Sequence, residues 1–366
     1  VDKNQLVTMI ETALEVVNCG ANVTFNAAEI FMGKILSKVD KKIAIIPHKN
    51  PDGDAIGSTL GLLHYLLELN HDAVMVAPND YPEFLKWLPK EDSILKYDTQ
   101  TVESENIINH ADIIFTLDFN ALHRTGNMEP VLERSDAIKI MIDHHQQPDD
   151  YAKYMFSDVS MSSTCEMVYN FLEFLDATDK ITPEIADCIY TGIMTDTGSF
   201  KYSSTTSRTH IIVADLIAKG AENTEIHRQI YDTNSPSRLH LLGCALKNMV
   251  ILEEYNTAYI TLSQEELDVY NYNKGDTEGF VNYGLTLDGI TFAVIFIENR
   301  EEGIIKISFR SIGDFSVNEF ARNHFEGGGH TNAAGGKSDD SIQETVNRFK
   351  EHLKDYEKEL GDRSNQ

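Results

Sequence analysis

The sequence predicts an α/β protein. Its N-terminal part is expected to be a parallel sheet with helices on both faces, followed by a helical linker and a smaller α/β domain. Two observations lead to this prediction. Short segments of continuous apolar residues, without alternation of apolar and polar side chains, recur between helical segments. This pattern is typical of parallel strands buried on both faces. The chain has 366 residues, a length that suits one very large domain or two ordinary ones.

The N-terminal elements follow from apolar periodicity. Residues up to about 40 are predicted to form two helices. Beyond them, strands and helices alternate, because short apolar runs are separated by segments with apolar side chains at helical spacing. The predicted strands are 43–46, 73–77, 113–117 and 138–142, and the predicted helices are 56–69 and 183–194.

The pattern of predicted helices and strands changes after about residue 205. Helical segments at 209–220, 222–231 and 239–247 are followed by strand-like segments at 250–252, 258–261, 292–296 and 304–309. We therefore expect a first domain over 1–205, a helical linker over 206–245, a second domain over 246–360 and a disordered tail over 361–366.

Charge and cysteine usage exclude several classes of protein. The chain has 58 acidic and 31 basic residues, a formal net charge of −27, so it should repel the backbone of a long nucleic-acid duplex. A small anionic substrate remains compatible if metal ions supply local positive charge. The four cysteines form no CxxC pair, which indicates a reducing cytoplasm. No segment suggests a membrane span or a signal peptide, so no membrane partner is expected.

Ligand-type side chains are concentrated in four short segments, each beside an apolar element. The first is the loop after the first strand, the second and third end two later strands, and the last follows the helix 183–194. Side chains beyond the carboxyl ends of parallel strands converge on one crevice. The residues are His48, Asp52 and Asp54 in the first segment, Asp118 in the second, Asp143, His144 and His145 in the third, and Asp196 in the last.

These residue types suit a centre with two divalent cations. Carboxylates bind hard cations, and the imidazoles favour Mn²⁺ over Mg²⁺ while remaining compatible with Mg²⁺. Two cations about 3.5–4 Å apart can hold a phosphate and activate a water, with Asp118 as the central carboxylate. Taken singly, each segment has a structural alternative: Asp54 could be a helix N-cap, and His48 alone could be structural.

The four segments resemble the successive motifs of the DHH phosphoesterase superfamily. The resemblance rests on the stretch from His48 to Ser58, on Asp118, on Asp143-His-His145 and on Thr191-Gly-Ile-Met-Thr-Asp196. Gly327-Gly-Gly-His330 resembles the signature of the DHH-associated domain. The similarity covers about residues 25–355 and is greatest to the nano-RNase (NrnA-like oligoribonuclease and pAp phosphatase) subgroup.

The resemblance implies a role for each position. His48, Asp52 and Asp118 would hold one metal ion, and a second would be held by Asp54, Asp118, His144 and Asp196. The two remaining residues of the third segment would act beside the metals: His145 would face the substrate phosphate, and Asp143 would orient its neighbours. Asn50 would shape the first loop or contact the substrate.

Further residues are candidates for substrate binding. The backbone amides of Gly327, Gly328 and Gly329, followed by His330, could approach an anion closely, although a glycine cluster can also be a plain loop. Arg310 could grip a terminal phosphate, or it could be an exposed charge at a strand end. Arg124, shortly after Asp118, is a weaker candidate of the same kind.

The function expected from these features is hydrolysis of very short RNA or DNA to mononucleotides, together with dephosphorylation of pAp. The alternative enzyme activity is hydrolysis of a cyclic dinucleotide or its linear product. A hypothesis of another class is a nucleotide sensor that binds without turnover. The expected partners are short single-stranded oligonucleotides or nucleotides, and a homo-oligomer is compatible with the sequence.

Overall fold

The computed structural model describes residues 41–361. The two helices predicted before residue 40, and the tail beyond residue 361, lie outside the described residues. The chain divides into two compact units, one ending at Ile230 and the other beginning at Tyr231. This division falls within the segment 206–245, which the sequence predicts to be a linker.

The first unit is built on a six-stranded sheet in the order β3-β2-β1-β4-β5-β6, with every pair of neighbours parallel. The strands are β1 (Lys42–Ile46), β2 (Asp72–Ala77), β3 (Leu95–Lys96), β4 (Ile113–Leu117), β5 (Ile138–Asp143) and β6 (Tyr154–Ser157). The predicted parallel sheet is therefore confirmed. The two edge strands were not predicted, because β3 has two residues and β6 is half exposed.

Helices cover both faces of this sheet. The helices of the unit are α1 (Gly53–Glu68), α2 (Thr101–His110), α3 (Glu129–Arg134), α4 (Thr164–Phe174), α5 (Pro183–Asp196), α6 (Ser207–Ala218) and α7 (Asn223–Tyr231). On β1, Ile43 and Ile45 join a core that includes α1, α4 and α5. Their neighbours Ala44 and Ile46 join a second core that includes α2 and α3. Successive side chains of a strand point to opposite faces, so β1 is buried on both.

Two helix ends differ from the sequence prediction. Helix α1 begins at Gly53 because Asp52 is its N-cap and accepts hydrogen bonds from the amides of Asp54 and Ala55. The alternative that Asp54 is the cap is therefore wrong. Helix α5 runs to Asp196, so this residue ends a helix and does not lie in the following loop. Thr197 is the C-cap of this helix, and its amide donates to the Ile193 carbonyl.

Helices α1 and α5 pack closely because glycines line their contact. A Cβ atom added at Gly57 would lie 2.5 Å from the Cys188 carbonyl oxygen. One added at Gly192 of α5 would lie 2.9 Å from Oδ1 of Asp54 in α1, and 2.1 Å from the sulfur of Cys165 in the neighbouring helix α4. Real Cβ atoms do not approach so closely, so only glycine fits at these two positions. This close packing brings the N-terminal end of α1 beside the C-terminal end of α5.

The second unit contains a mixed six-stranded sheet in the order β11-β12-β10-β9-β8-β7, in which only β8 and β9 are parallel among the described pairs. The strands are β7 (Val250–Leu252), β8 (Thr257–Leu262), β9 (Phe292–Asn299), β10 (Ile304–Ser311), β11 (Gly328–His330) and β12 (Ala333–Ser338). The helices are α8 (Pro236–Lys247), α9 (Gln264–Val269), α10 (Val317–His324), α11 (Ile342–Leu353) and α12 (Glu357–Gly361). A smaller α/β unit is thus confirmed. Between residues 41 and 361, no helix has the length and apolar character that a membrane crossing requires.

Candidate active site

The loop between β1 and α1 supplies two polar side chains, His48 and Asp52, at the carboxyl edge of the first sheet. His48 is buried, and its Nδ1 lies 2.8 Å from the Lys49 carbonyl oxygen, so Nδ1 donates there. This bond directs Nε2 toward the carboxylates. Nε2 lies 3.9 Å from Oδ1 of Asp52 and 3.5 Å from Oδ2 of Asp118. The loop residues thus reach the end of β4.

Asp118 is at the centre of the cluster. It directly follows β4, its amide donates to the Ile142 carbonyl, and its side chain is 2% exposed. Its φ of +65° is in the left-handed region, which is costly for a residue other than glycine and recurs at functional sites. While Oδ2 faces His48, Oδ1 lies 3.7 Å from Nε2 of His144. The two oxygens of one carboxylate therefore face two different imidazoles.

The end of β5 contributes three consecutive polar residues. Asp143 is fully buried, and its Oδ1 accepts a hydrogen bond of 2.7 Å from Nδ1 of His145. Its Oδ2 is buried without a hydrogen-bond partner in the described part of the chain. His144 points elsewhere: its Nδ1 lies 3.2 Å from the Met161 carbonyl oxygen, and its Nε2 lies 3.7 Å from Oδ2 of Asp54.

Asp196 completes the cluster from the last turn of α5. Its Oδ2 lies 3.5 Å from Nε2 of His144. Since Asp54 and Asp118 approach the same nitrogen, three carboxylates surround one imidazole. The structure thus brings together all eight of the side chains that the sequence places in the candidate metal centre.

The donor atoms fit divalent cations. In two groups, one atom from each residue lies within 4.8 Å of the others: His48, Asp52 and Asp118 in one, and Asp54, Asp118 and His144 in the other. Both groups combine carboxylate oxygens with imidazole nitrogen, a donor set suited to Mn²⁺ and its neighbours. The groups share Asp118, as a centre with a bridging carboxylate requires.

Electrostatics also favour positive charge in this cluster. Burial raises the pKa of Asp118 well above its usual range, and the neighbouring carboxylates of Asp54 and Asp52 raise it further. Burial alone would lower the pKa of His144, but Asp196, Asp54 and Asp118 outweigh this effect and raise it to about 9. Burial lowers the pKa of His145, although Asp143 opposes the change. Crowded carboxylates of this kind gain most from a bound cation.

Sequence reasoning missed the N-terminus of α4, which touches the same carboxylates. The amides of Thr164 and Cys165 donate to Oδ2 and Oδ1 of Asp54, at 2.6 and 2.8 Å. The Thr164 hydroxyl donates to Oδ1 of Asp118 at 2.9 Å. Ser163 caps the helix by accepting from the Glu166 amide. The spacing Ser163-x-x-Glu166 is a helix-start signal that could have located this end.

Two further candidates from the first unit lie around the cluster. Arg124 is half-buried, and its charge contributes to lowering the pKa of His145. Asn50 is exposed and has a φ of +57°. Its amide donates to Oδ1 of Asn79 at 2.7 Å, and Nδ2 of Asn79 donates back to its side chain at 2.9 Å. Asn50 therefore helps to hold the loop that carries His48.

In the second unit, the glycine cluster is mostly strand rather than loop. Gly328 and Gly329 belong to β11 and pair with β12. The Gly327 amide donates to the Ala321 carbonyl, and the Gly329 amide donates to Oδ1 of Asn318 at 2.9 Å. Two of the three glycine amides are thus used within the unit. Close packing also leaves no room for a Cβ atom at Gly327 or Gly329.

The remaining two candidates of the second unit are partly exposed. His330 ends β11 and is half-buried. Arg310 lies near the end of β10, is half-buried, and donates from Nη1 to the Phe309 carbonyl at 3.0 Å. Both side chains are therefore accessible to a ligand, and their role in substrate binding stays a prediction.

Comparison with known proteins identifies relatives along most of the chain. Residues 42–193 match the DHH family, N-terminal domain, and residues 257–359 match the DHHA1 domain. The bifunctional oligoribonuclease and PAP phosphatase NrnA of Thermus thermophilus is 32% identical over 304 residues, covering 83% of this chain and 86% of the relative. The cyclic-di-AMP phosphodiesterase GdpP of Geobacillus thermodenitrificans is 27% identical over 330 residues, and the alignment covers 86% of this chain and 47% of the relative.

A solved structure shows the same architecture. The crystal structure of an exopolyphosphatase-related protein from Bacteroides fragilis superposes with a TM-score of 0.88 at 40% sequence identity. The alignment covers 93% of this chain and all of the other. The order of strands and helices described above is therefore shared over nearly the whole length.

Proposed function

The chain belongs to the DHH family of phosphoesterases, and we propose that it hydrolyses short oligonucleotides to mononucleotides and dephosphorylates pAp. The observation that supports this most is the buried carboxylate–imidazole cluster around Asp118, at the carboxyl edge of the parallel sheet. The named activities of the NrnA relative, to which most of this chain aligns, indicate the substrate class.

Two divalent cations are proposed as cofactors, with Mn²⁺ preferred and Mg²⁺ accepted. His48, Asp52 and Asp118 would hold one, and Asp54, Asp118, His144 and Asp196 the other. When bound, such a pair of cations supplies positive charge to a phosphate and lowers the pKa of water. The mixture of imidazole and carboxylate donors supports the preference for Mn²⁺.

The other residues of the site act on the substrate or orient its contacts. Asp143 accepts from Nδ1 of His145 and fixes the ring, so His145 presents its other nitrogen for a substrate oxygen. Arg124, whose charge acts on His145, is proposed to add positive charge suited to a phosphate. In the second unit, Arg310, the glycines 327–329 and His330 are proposed to bind the substrate.

Short substrates are favoured by charge. The net charge of −27 repels an extended polyanion far more than a dinucleotide, because each additional phosphate adds to the repulsion. A cytoplasmic location is proposed, since the three cysteines in the described residues carry free thiols, as expected in a reducing compartment.

The second candidate function is hydrolysis of a cyclic dinucleotide or its linear product, favoured by the alignment to the GdpP relative over 86% of this chain. Within the described residues, both groups of metal-ligand atoms are intact. This argues against the third hypothesis, a nucleotide sensor without turnover, because a sensor does not need two cation sites.

The test is a side-by-side assay with Mn²⁺ of a labelled dinucleotide, longer oligomers, pAp and cyclic di-AMP. We expect mononucleotides from the dinucleotide, phosphate from pAp, and slower attack as the oligomer lengthens. Turnover of cyclic di-AMP alone would establish the second candidate. Binding of all four compounds without products would instead establish a sensor.

A further inference from the structure

The N-terminus of helix α4 is buried against the carboxylates of the cluster. Ser163, Thr164 and Cys165 are all fully buried. Thr164 is the first residue of the helix, so its amide is one of the groups that have no partner within the helix. Here these groups bind carboxylates of the candidate metal centre.

The two amides of this helix start fix Asp54. Oδ2 of Asp54 accepts from the Thr164 amide at 2.6 Å, and Oδ1 accepts from the Cys165 amide at 2.8 Å. Two hydrogen bonds to two oxygens define the plane of the carboxylate. Oδ2 also faces His144 at 3.7 Å, so the orientation set by α4 is the one that faces the second group of ligands.

The side chain of Thr164 fixes a second carboxylate. Its hydroxyl donates to Oδ1 of Asp118 at 2.9 Å. This oxygen is also the one that faces His144 and His145, each at 3.7 Å, whereas Oδ2 faces His48. The hydroxyl thus binds Oδ1, on the side of the group that contains His144, while Oδ2 faces the group that contains His48.

We propose that Thr164 is a positioning residue that orients both Asp118 and Asp54 for the two cations. The inference rests on the proposed function, since it assigns Thr164 a role toward the same metal centre. The amide acts on Asp54 and the hydroxyl acts on Asp118, so one residue sets the relative orientation of the two carboxylates. Residues that orient metal ligands through hydrogen bonds typically alter metal affinity by about 10- to 100-fold when replaced.

Burial makes this hydrogen bond effective. The hydroxyl of Thr164 is inaccessible to water and Asp118 is 2% exposed, so no bulk water competes for the carboxylate oxygen. If the hydroxyl is removed, Oδ1 of Asp118 loses the hydrogen bond that it accepts from Thr164. It can then rotate toward His144 or His48, and the two cation sites lose their shared geometry.

The start of α4 is itself held firmly. The carboxylate of Glu166 accepts from the amide and hydroxyl of Ser162 and from the hydroxyl of Thr209 at 3.1 Å. Thr209 belongs to α6, so the helix start is tied to a second helix. On the opposite side, Gly192 of α5 leaves room for Cys165 to approach Asp54. The donors that reach the carboxylates are therefore set by the packing of three helices.

The experiment compares three variants of the full chain. Thr164→Val has the same shape but no hydroxyl, and Thr164→Ser keeps the hydroxyl. Thr59→Val is the matched control, because Thr59 is equally buried in α1 but donates only to the backbone carbonyls of Ala55 and Ile56. Mn²⁺ is titrated into each metal-free protein in a calorimeter. Cooperative urea unfolding confirms that each variant is folded, and the rise in melting temperature with Mn²⁺ gives a second readout.

We expect Thr164→Val to bind Mn²⁺ about 10- to 100-fold more weakly than wild type. Thr164→Ser and Thr59→Val should bind with nearly wild-type affinity. Wild-type affinity in Thr164→Val would overturn the inference, and so would an equal loss in Thr59→Val, since the effect would then belong to any buried hydroxyl. If the wild-type protein itself bound no Mn²⁺, the proposed function would fail first, and that outcome is distinct from a failure of Thr164 alone.

Discussion

Replacing Gly192 by alanine tests how tightly the helices hold the site. The added Cβ would lie 2.1 Å from the sulfur of Cys165, 3.0 Å from its Cβ and 2.9 Å from Oδ1 of Asp54. Because Cys165 is fully buried, its sulfur cannot turn into solvent. The start of α4 must therefore move away from α5, and the amides that bind Asp54 move with it.

The magnitude follows from two opposing effects. Alanine in place of glycine within a helix gains about 1 kcal/mol from backbone propensity. Overpacking of a well-packed core costs about 1–3 kcal/mol, and contacts this short place Gly192→Ala at the upper end of that range. We expect a net loss of about 2 kcal/mol in the free energy of unfolding, the difference between these two effects.

Urea unfolding of the metal-free protein measures this loss, and Gly61→Ala is the matched control. Gly61 lies in α1 and faces α5, the helix that carries Gly192, but its added Cβ would meet the flexible side chain of Ile189 at 3.0 Å. That variant should unfold within about 1 kcal/mol of wild type, since the propensity gain offsets a mild contact. Removing the sulfur with Cys165→Ala should recover part of the loss caused by Gly192→Ala. Gly192→Ala as stable as wild type would refute the packing argument.

Two further predictions concern the charge of the cluster. Asp118→Asn should abolish hydrolysis of a dinucleotide with Mn²⁺. It should also stabilise the metal-free protein toward urea at neutral pH, because burial and nearby carboxylates raise the pKa of Asp118 and disfavour its charged form. Near-normal turnover in this variant would exclude Asp118 from the bridging role. Mn²⁺ binding at pH 7.5 should release a proton from His144, whose pKa is about 9 in the metal-free protein. Calorimetry in buffers of different ionisation enthalpy measures this release, which should vanish as pH rises through about 9. The carboxylates around His144 also stabilise the folded metal-free protein while the ring is charged. This stabilisation is complete below the ordinary pKa of histidine and is lost as pH rises through about 9. No dependence on the buffer at pH 7.5 would contradict the assignment of His144 as a ligand.

The parallel sheet and the carboxylate cluster could be predicted because they depend on residue type. Strands buried on both faces leave continuous apolar runs, as in 43–46 and 113–117. Side chains that follow such strands must meet at one edge of the sheet. Asp118 and Asp143 were located by this rule, and the structure brings them within reach of the same imidazole, His145.

The support of the cluster could not be predicted, because it depends on the backbone and on close packing. The amides of Thr164 and Cys165 would bind Asp54 with almost any side chain at those positions. The spacing Ser163-x-x-Glu166 marks the start of the helix but does not show which carboxylate its amides bind. The sequence predicts a loop at Asp196 because the apolar side chains at helical spacing end at Met194, before the final residues of α5. The glycines at 327–329 suggested an anion loop, whereas steric demands from Ala333 and Gly335 account for two of them.

The central claim is that one buried cluster holds a pair of cations through a shared carboxylate. Anomalous diffraction from a crystal grown with Mn²⁺ tests it most directly. We predict two manganese peaks, one beside His48 and the other beside His144, with an oxygen of Asp118 bound to each. A single peak, or two peaks that do not share Asp118, would contradict the account.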